Sequence, residues 1–585
     1  MLLNLLPHLP DGTVKVLFLV GIWVFIIAFK ILEKIEFPIL GSKDRGIRLC
    51  SLGLASFTFL PVLLSPAAVR FFPCGAQLVI FFTYVSTFYL VLQVLEKTSR
   101  LLFGFTALIA VLFSALNLTY FYLVGNFIEY EVIASILDSN SKESLQFISS
   151  PFVRHYSQNL VVVLALALGL IYPMRRFVVG GKILPSRLIK AVVCSLVISS
   201  TLYMSRSKHE LVDFYPVNES RSMLLYLEEV NSLVQKYRGL KYEFKGTVRH
   251  EKSSTVILVI GETARRDKLG IYGSSLDTTP CLDRFAREKP DHLLLFTNAV
   301  SAAACTRVSV PSLLSVCSAR DYGVIAEHPS ILKIMKSAGL ETVLISNQFK
   351  RGFDSDFISA FMNDATRKTY LMDTASSNVF DEALVPPLIE ELKRSSCGSK
   401  LIIVHLAGSH YDYKDRYPAS QAFFQPTSLE NQYFNTIRYT DSVLEQINKA
   451  VMLADRPIIM LYASDHGEYL NDYGDGHYDH GNRNHLSKFE IIVPFLFTFN
   501  GRFLQERPSE IASMRKRTEL KVSHDNISHT LLGLMGIFDT EYQPQFDLSS
   551  ADFFAASRFV IESSNKVTPL EKVRFDQTKF YGRRD

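Results

Sequence analysis

Six long runs without a charged residue lie within the first 205 positions and constrain the fold of this chain more than any other feature. They are residues 16–29, 49–69, 71–95, 101–128, 156–174 and 191–205. A helix needs about 20 apolar residues to cross a bilayer, so the second to fifth runs are long enough. The first and last need snorkelling by Lys15, Lys30 and Lys190. We therefore predict a transmembrane domain of five or six helices over residues 1–205.

The charges between these runs predict the orientation. Residues 30–48, 96–100 and 175–190 form basic loops, whereas the loop 129–143 is acidic. Basic loops face the cytoplasm, so the chain after Ser205 is predicted to lie outside. This orientation holds whether or not the first run spans the membrane.

Two further helices are predicted near the membrane. Apolar residues from Ile128 to Leu137 fall at helical spacing, which favours an amphipathic helix near 127–150 on the outer membrane surface. A plain loop is the alternative there. A second helix is predicted from Asn218 to Tyr237, inside a helical linker over residues 206–250.

Charge and cysteines add two constraints. A net charge of +5 on 585 residues does not indicate nucleic-acid binding. Four cysteines follow the membrane runs, namely Cys281, Cys305, Cys317 and Cys397. A disulfide can persist outside the cytoplasm. We prefer the pair Cys305–Cys317, although sequence alone does not fix the connectivity.

The remaining residues, 251–585, are long enough to bury a core of their own. Apolar strands are predicted at 255–260, 342–346, 401–406 and 458–463, and helical patterns lie at 330–337, 380–394 and 433–453. Strands that alternate with helices indicate an α/β domain with a mostly parallel sheet and helices on both faces.

Polar residues follow each predicted strand, where open α/β sheets place their ligands. They are Glu262 and Thr263; Ser346, Asn347 and Gln348; His405 and His410; and Asp465, His466 and Glu468. Six of the 14 histidines lie between His405 and His485. A carboxylate, an adjacent Asp-His pair and further histidines are ligands that zinc takes.

A metal site of this kind makes a nucleophile plausible beside it, because coordination lowers the pKa of a bound hydroxyl. Two threonines qualify. Thr263 adjoins Glu262, and Thr306 lies in SAAACTRVSVPSLLS, before an apolar run that could open a helix. A helix N-terminus would also receive phosphate oxygens. The residues alone leave both candidates open.

Several motifs occur in a fixed order along the chain. They are GETAR after the first strand, IYG and TTP within 271–280, a Ser/Cys/Thr-rich segment with S-V-P, GSH with a following R-Y-P, and SDHGE. Together they resemble the membrane-anchored phosphoethanolamine transferases of Gram-negative bacteria, in the alkaline phosphatase superfamily. The resemblance extends over most of the chain, including GNFIEYEVIASILD.

The resemblance implies roles for individual residues. Glu262, Asp465 and His466 match zinc ligands of the family, and Thr306 matches its nucleophile, itself a zinc ligand. Residues that match positions binding the donor phosphate or a second zinc are His410 and His480, with His477 and His485 as alternatives to His480. Gln348 and Lys350 fall near positions that contact phosphoethanolamine.

The resemblance also implies a reaction. Zn²⁺ would be the cofactor, phosphatidylethanolamine the donor, and lipopolysaccharide, through lipid A or a core sugar, the acceptor. The motif LISNQ and the sequence of residues 401–418 are more similar to the branch of this family that acts on core sugars. The expected location is the Gram-negative inner membrane, with a periplasmic catalytic domain over 251–585. Two departures are Ala302-Ala303-Ala304 before Cys305, where the family often has Cys and Gly, and a sixth apolar run.

Three other functions are alternatives to the transferase. A sulfatase needs C/S-x-P-x-R, and residues 305–309, CTRVS, lack both the Pro and the Arg. A glycerol-phosphate transferase with a similar anchor would differ in metal preference and product. A membrane receptor that only binds metal or ligand would leave Thr306 without a role.

Overall fold

The computed structural model describes residues 228–249, 251, 253–348, 357–372, 379–394, 398–474, 478–481, 486–562 and 565–573. These residues belong to one compact unit that includes Tyr226–Thr578. Within them no helix is both long enough and apolar enough to cross a membrane. The predicted spans, the amphipathic helix near 127–150, Lys350, His477 and His485 lie outside the described residues.

A seven-stranded mixed sheet forms the centre of the unit. Its strands are β1 (Thr255–Gly261), β2 (Leu293–Leu295), β3 (Glu341–Ser346), β4 (Arg367–Tyr370), β5 (Lys400–His405), β6 (Ile458–Ser464) and β7 (Phe495–Phe499), in the spatial order β2-β7-β6-β1-β5-β3-β4. The pairs β1–β5, β1–β6, β3–β5 and β3–β4 are parallel, whereas β7 runs antiparallel to β6 and β2. The four predicted strands are confirmed within one residue at each end.

The helices flank the sheet. They are α1 (Pro280–Glu288), α2 (Thr306–Leu314), α3 (Ile331–Ser337), α4 (Phe357–Met362), α5 (Val385–Lys393), α6 (Leu429–Met452), α7 (Gly501–Glu506), α8 (Pro508–Arg515) and α9 (Asp525–Leu534). Residues 228–239 are helical as well. Short two-stranded pairings join Gly246–Val248 with Ile537–Asp539, Ala299–Val300 with Val522–Ser523, Tyr469–Leu470 with Tyr478–Asp479, and Phe559–Ile561 with Val567–Pro569.

The core has one layer on each face of the sheet, as β1 illustrates. Val256, Leu258 and Ile260 pack into one apolar cluster with α2, α3 and α9. Ile257 and Val259 pack into the other with α5 and α6. Successive side chains of a strand point to opposite faces, so a strand covered by helices on both sides is apolar throughout. The predicted two-sided α/β core is confirmed.

Two predicted helices differ in detail for local reasons. The pattern at 380–394 splits into a 3-10 turn, Asp381–Leu384, and α5, which carries prolines in its first turn. Proline is tolerated at the start of an α-helix because the N–H it lacks would have no helical partner there. α6 begins earlier than predicted, because the Ser428 side chain accepts from the Asn431 N–H and caps a polar first turn.

The preferred disulfide is wrong. Cys305 and Cys317 both carry thiols rather than a disulfide. Cys305 is the N-cap of α2, and Cys317 follows the other end of this nine-residue helix. A helix rises 1.5 Å per residue, which separates its ends by roughly 14 Å, whereas a disulfide needs Cα atoms within about 7 Å.

Candidate active site

The carboxyl ends of the central parallel strands lie level with one another and form the floor of the site. Gly261 of β1 is in register with Ser464 of β6, and Ile260 is in register with His405 of β5. The residues that directly follow β1 and β6 therefore meet at one edge of the sheet. These are Glu262 on one side and Asp465 on the other.

Glu262 is held by hydrogen bonds to both carboxylate oxygens. The Thr263 hydroxyl donates to Oε1 at 2.6 Å, and the Gln348 amide donates to Oε2 at 3.2 Å. The backbone of Glu262 is equally confined, since its carbonyl accepts from the Ser409 N–H at 2.9 Å. Gly408 has a φ of +52°, and a Cβ there would lie 2.9 Å from the Glu262 Cβ. Only glycine suits this close approach.

The loop after β6 fixes Asp465 and His466. Asp465 Oδ1 accepts from the N–H groups of Thr263, at 3.1 Å, and His466, at 2.7 Å. The His466 Nδ1 lies 2.8 Å from the Gly467 carbonyl, so this nitrogen carries a proton, and Nε2 is the ring nitrogen available to a metal ion. Nε2 then faces Asp465 Oδ2 at 3.4 Å and Glu262 Oε1 at 3.5 Å.

Thr306 reaches the same point from the other side. It is the first residue of α2, directly after the N-cap Cys305. Its Oγ1 lies 3.2 Å from His466 Nε2 and 3.4 Å from both carboxylate oxygens of Glu262. Thr306 is 8% exposed, whereas Thr263 is fully buried. Of the two threonines, Thr306 is therefore the more exposed residue.

The arrangement of Glu262, Asp465 and His466 suits a cation. One ligand atom from each lies within 4.8 Å of the others, and all three residues are buried. Asp465 Oδ2 accepts no hydrogen bond from the residues that the structure describes. Two buried carboxylates converge with an imidazole nitrogen, an arrangement that a bound metal ion would stabilise. Two oxygens and a nitrogen are a donor set for a divalent transition metal.

A second group of side chains lies on loops next to the triad. The His480 ring is 4.3 Å from the His466 ring and 5.9 Å from the His410 ring, between centroids. His480 Nδ1 is 2.7 Å from Glu468 Oε2, while Tyr413 donates to Glu468 Oε1 at 2.8 Å. Burial lowers the pKa of His410 to about 3, which keeps that ring neutral.

The structure therefore brings together Thr306, Glu262, Asp465, His466, His410, His480 and Gln348. Gln348 contacts the triad itself, because its amide donates to the Glu262 carboxylate. The same amide donates to the Leu406 carbonyl at 2.9 Å, which connects Glu262 to the residue that follows β5. The sequence analysis missed two supporting residues. Asp381 accepts from the N–H groups of Ala407 and Gly408 and shapes the turn against Glu262. His524 joins the Ser464 carbonyl to the Ala302 N–H.

No signal within a short window would have found these two. Asp381 lies 26 residues before the turn that it supports, and His524 lies 60 residues after its partner Ser464. A lone buried Asp or His carries no periodicity that relates it to a distant loop. Their roles depend on which elements the fold packs together.

Comparison with known sequences finds relatives over most of this chain. The sulfatase family model matches residues 254–537. Phosphoethanolamine transferase EptC of Escherichia coli O18:K1:H7 is 24% identical over 478 residues, 76% of this chain and 81% of the relative. The Kdo(2)-lipid A phosphoethanolamine 7''-transferase of Escherichia coli K12 is 26% identical over 510 residues, 78% of this chain and 86% of the relative.

Solved structures share the fold. The C-terminal periplasmic domain of Escherichia coli EptC in complex with Zn aligns over 59% of this chain and all of that chain, with a TM-score of 0.52 and 24% identity. The integral membrane protein lipooligosaccharide phosphoethanolamine transferase A of Neisseria meningitidis aligns over 87% of this chain and 99% of that chain, with a TM-score of 0.59 and 21% identity.

Proposed function

We propose that this chain, whose residues 254–537 match the sulfatase family model, is a zinc-dependent phosphoethanolamine transferase. The proposed donor is phosphatidylethanolamine, and the proposed acceptor is lipopolysaccharide, at lipid A or a core sugar. Curated relatives that align over most of their length carry this activity in their names. The observation that carries the proposal is the Thr306 hydroxyl beside the buried triad.

The metal proposal is supported by the donor set. Glu262, Asp465, His466 and the Thr306 hydroxyl would hold the ion, and a related domain has been solved with Zn. Bound Zn²⁺ would lower the pKa of the Thr306 hydroxyl and neutralise charge on the phosphoryl oxygens. The His466 Nδ1–H bond to the Gly467 carbonyl orients the ring for this role, as outer partners of metal-bound histidines do.

The reaction has two steps. Thr306 Oγ1 attacks the phosphorus of the donor, a P–O bond forms to Thr306, and the bond to the diacylglycerol oxygen breaks. The proton lost by the hydroxyl is balanced by the proton that diacylglycerol gains. An oxygen of the acceptor then attacks the same phosphorus, the bond to Thr306 breaks, and the proton that the acceptor OH loses is balanced by the proton that Thr306 Oγ1 regains. The protein mainly positions the groups and stabilises charge.

His410 and His480 are proposed to bind the donor phosphoryl group. They lie next to the triad on loops, and Glu468 and Tyr413 hold the His480 ring in place. Gln348 is proposed to act on Glu262 as well as near the substrate, because its amide contacts the carboxylate. Lys350 remains a proposed substrate contact from the sequence.

The domain arrangement remains a proposal too. Residues 1–205 would form the membrane anchor, 206–250 the linker, and 251–585 the periplasmic catalytic domain of an inner-membrane protein. The apolar runs and the charge of the loops support this arrangement. Such an anchor suits the reaction, because donor and acceptor would both lie in the outer leaflet.

The test uses the full chain in membranes with phosphatidylethanolamine, followed by mass spectrometry of the protein and of the envelope glycolipids. We expect phosphoethanolamine on Thr306, and one phosphoethanolamine added to the glycolipid in cells that carry the protein. Thr306→Ala should lose both signals. Thr263→Val, which keeps the side-chain shape, should still carry the adduct on Thr306.

Each rival predicts a different result. An adduct on Thr263 would overturn the choice of nucleophile. Glycerophosphate on the glycolipid, with a preference for manganese or magnesium, would indicate the glycerol-phosphate transferase. A wild-type chain that binds zinc but never becomes modified on Thr306 would favour the receptor.

A further inference from the structure

His524 is a buried histidine outside the triad that joins two parts of the site. It lies directly before α9 and is 1% exposed. Its Nε2 lies 3.0 Å from the Ser464 carbonyl, and the Ala302 N–H donates to its Nδ1 at 3.3 Å. Burial lowers its pKa to about 4, so the ring is neutral, with one donor and one acceptor. Each ring nitrogen is thus matched to a backbone group.

One partner, Ser464, ends β6 directly before Asp465 and connects the metal-binding segments. Its hydroxyl donates to the His466 carbonyl at 3.0 Å and accepts from the Ala264 N–H at 2.8 Å. Ala264 follows the Glu262-Thr263 pair. A shift of Ser464 would therefore move the backbone that carries both carboxylates of the triad.

The other partner, Ala302, begins the segment that ends in the nucleophile. Its N–H is bound by His524, and its carbonyl accepts from the Ile561 N–H at 2.8 Å. Residues 302–304 are buried, and Thr306 follows after Cys305. Because both backbone groups of Ala302 are committed, this residue is the fixed end of the short segment that carries Thr306.

We propose that the Ser464–His524 pair sets the position of the Thr306 hydroxyl relative to Glu262 and His466, and that His524 is a positioning residue of the reaction. This inference rests on the proposed function. His524 does not touch the reacting atoms. It fixes the nucleophile segment to the strand end that carries the metal ligands, because one neutral ring satisfies a carbonyl on one side and an N–H on the other. Misplacement of a nucleophile by about 1 Å lowers the rate by about 10²-fold.

His529 supplies a matched control in α9 itself. It is 2% exposed, and burial lowers its pKa to about 4 as well. Its Nε2 lies 3.2 Å from the Val316 carbonyl, and the Gln543 N–H donates to its Nδ1 at 3.2 Å. The two histidines therefore share burial, charge state and bonding pattern. Ser464 directly precedes Asp465 and Ala302 lies four residues before Thr306, whereas the His529 partner Val316 lies ten residues after Thr306, beyond the far end of α2.

The experiment compares His524→Phe with His529→Phe in the full chain, and adds His524→Gln and His529→Gln. Phe keeps a planar ring and removes both hydrogen bonds, whereas Gln keeps an amide donor and acceptor. The readouts are kcat and KM for phosphatidylethanolamine, the extent of Thr306 modification, zinc content at saturating zinc, and the melting temperature.

We expect both Phe variants to lower the melting temperature by similar amounts. His524→Phe should lower kcat and the rate of Thr306 modification by roughly 10- to 100-fold, with KM and zinc content near wild type. His524→Gln should recover part of that loss, and His529→Phe should keep kcat within about twofold.

Equal kcat values for the two Phe variants would overturn the inference, because the effect would then follow stability alone. Loss of zinc from His524→Phe at saturating zinc would also overturn it, since the residue would then act on metal binding. If either Phe variant does not fold, the Gln pair decides by the same comparison. A wild-type chain without transfer would instead refute the proposed function.

Discussion

The site has an inner and an outer group of residues, and they differ in how the fold holds them. The inner group, Glu262, Thr306, Asp465 and His466, is at most 8% exposed and lies directly after a strand or at the first position of a helix. The outer group, His410 and His480, lies on loops and is partly exposed. The inner positions are fixed by strand ends and a helix, whereas the outer positions depend on loop conformation.

This difference matches two separate tasks, namely chemistry at phosphorus and the exchange of substrates. A reaction at phosphorus needs groups held within a fraction of an ångström, which regular elements supply. The proposed lipid donor and glycolipid acceptor would enter and leave in turn, which loops permit more readily. We therefore expect inner substitutions to abolish metal binding or chemistry and outer substitutions to weaken both steps of the transfer while the metal stays bound.

The largest effect is expected from the inner group. Asp465→Asn removes one buried carboxylate charge that faces the metal position. Transfer should fall by more than about 10³-fold, together with the zinc content. Zinc analysis of the purified chain and a transfer assay check this. An Asp465→Asn chain with wild-type zinc content and activity would remove Asp465 from the metal site.

The next largest effect is expected from metal removal, which should distinguish the inner from the outer group by their influence on zinc-dependent stability. Zinc at about a thousandfold above its Kd should stabilise the native chain by about 4 kcal/mol against the metal-free chain. Thermal unfolding with chelator and with added zinc measures this. His410→Ala should keep the zinc-dependent shift and Asp465→Asn should lose it. A shift that disappears in both variants would contradict the division into two groups.

A smaller effect is expected from the outer group. His410→Ala and His480→Ala should each lower kcat/KM by about 10- to 100-fold while zinc content stays at the wild-type level. Steady-state kinetics with parallel zinc analysis tests this. If His480→Ala loses zinc, His480 belongs to the inner group.

The smallest effect concerns the turn that confines Glu262. Gly408→Ala should lower the free energy of unfolding by about 1–3 kcal/mol through the positive φ, plus a further cost from contact with the Glu262 backbone. Gly339→Ala is the control, because Gly339 also has a positive φ, of +72°, but open space around its Cβ position. Denaturant unfolding compares the two, and equal losses would mean that the Glu262 contact carries no cost.

The local pattern of apolar residues predicted strands of the sheet that are buried on both faces. The runs 255–260, 342–346, 401–406 and 458–463 are apolar throughout, and the structure has strands there. The antiparallel β7, the short β2 and the terminal strand β4 were missed. β7 is FLFTF, a run of five residues that is too short for its periodicity to separate strand from helix, and its place in the sheet comes from pairing with β6 and β2.

The sequence by itself determined the α/β order of the catalytic unit and the polar residues at its strand ends. Strand runs and chemical motifs are written in short windows, so Glu262, Asp465 and His466 could be named together before their distances were known. Residue type alone left two threonines as candidate nucleophiles, and only the family resemblance favoured one of them.

Tertiary structure alone decided what surrounds the ligands. It placed Thr306 more accessibly than Thr263, separated Cys305 from Cys317 by a helix, and packed Gly408 against Glu262. It also brought His524 between Ser464 and Ala302, residues that are 60 and 222 positions away along the chain. Such contacts depend on the order of the strands in the sheet and on how the helices pack on it, and no short window of sequence records either.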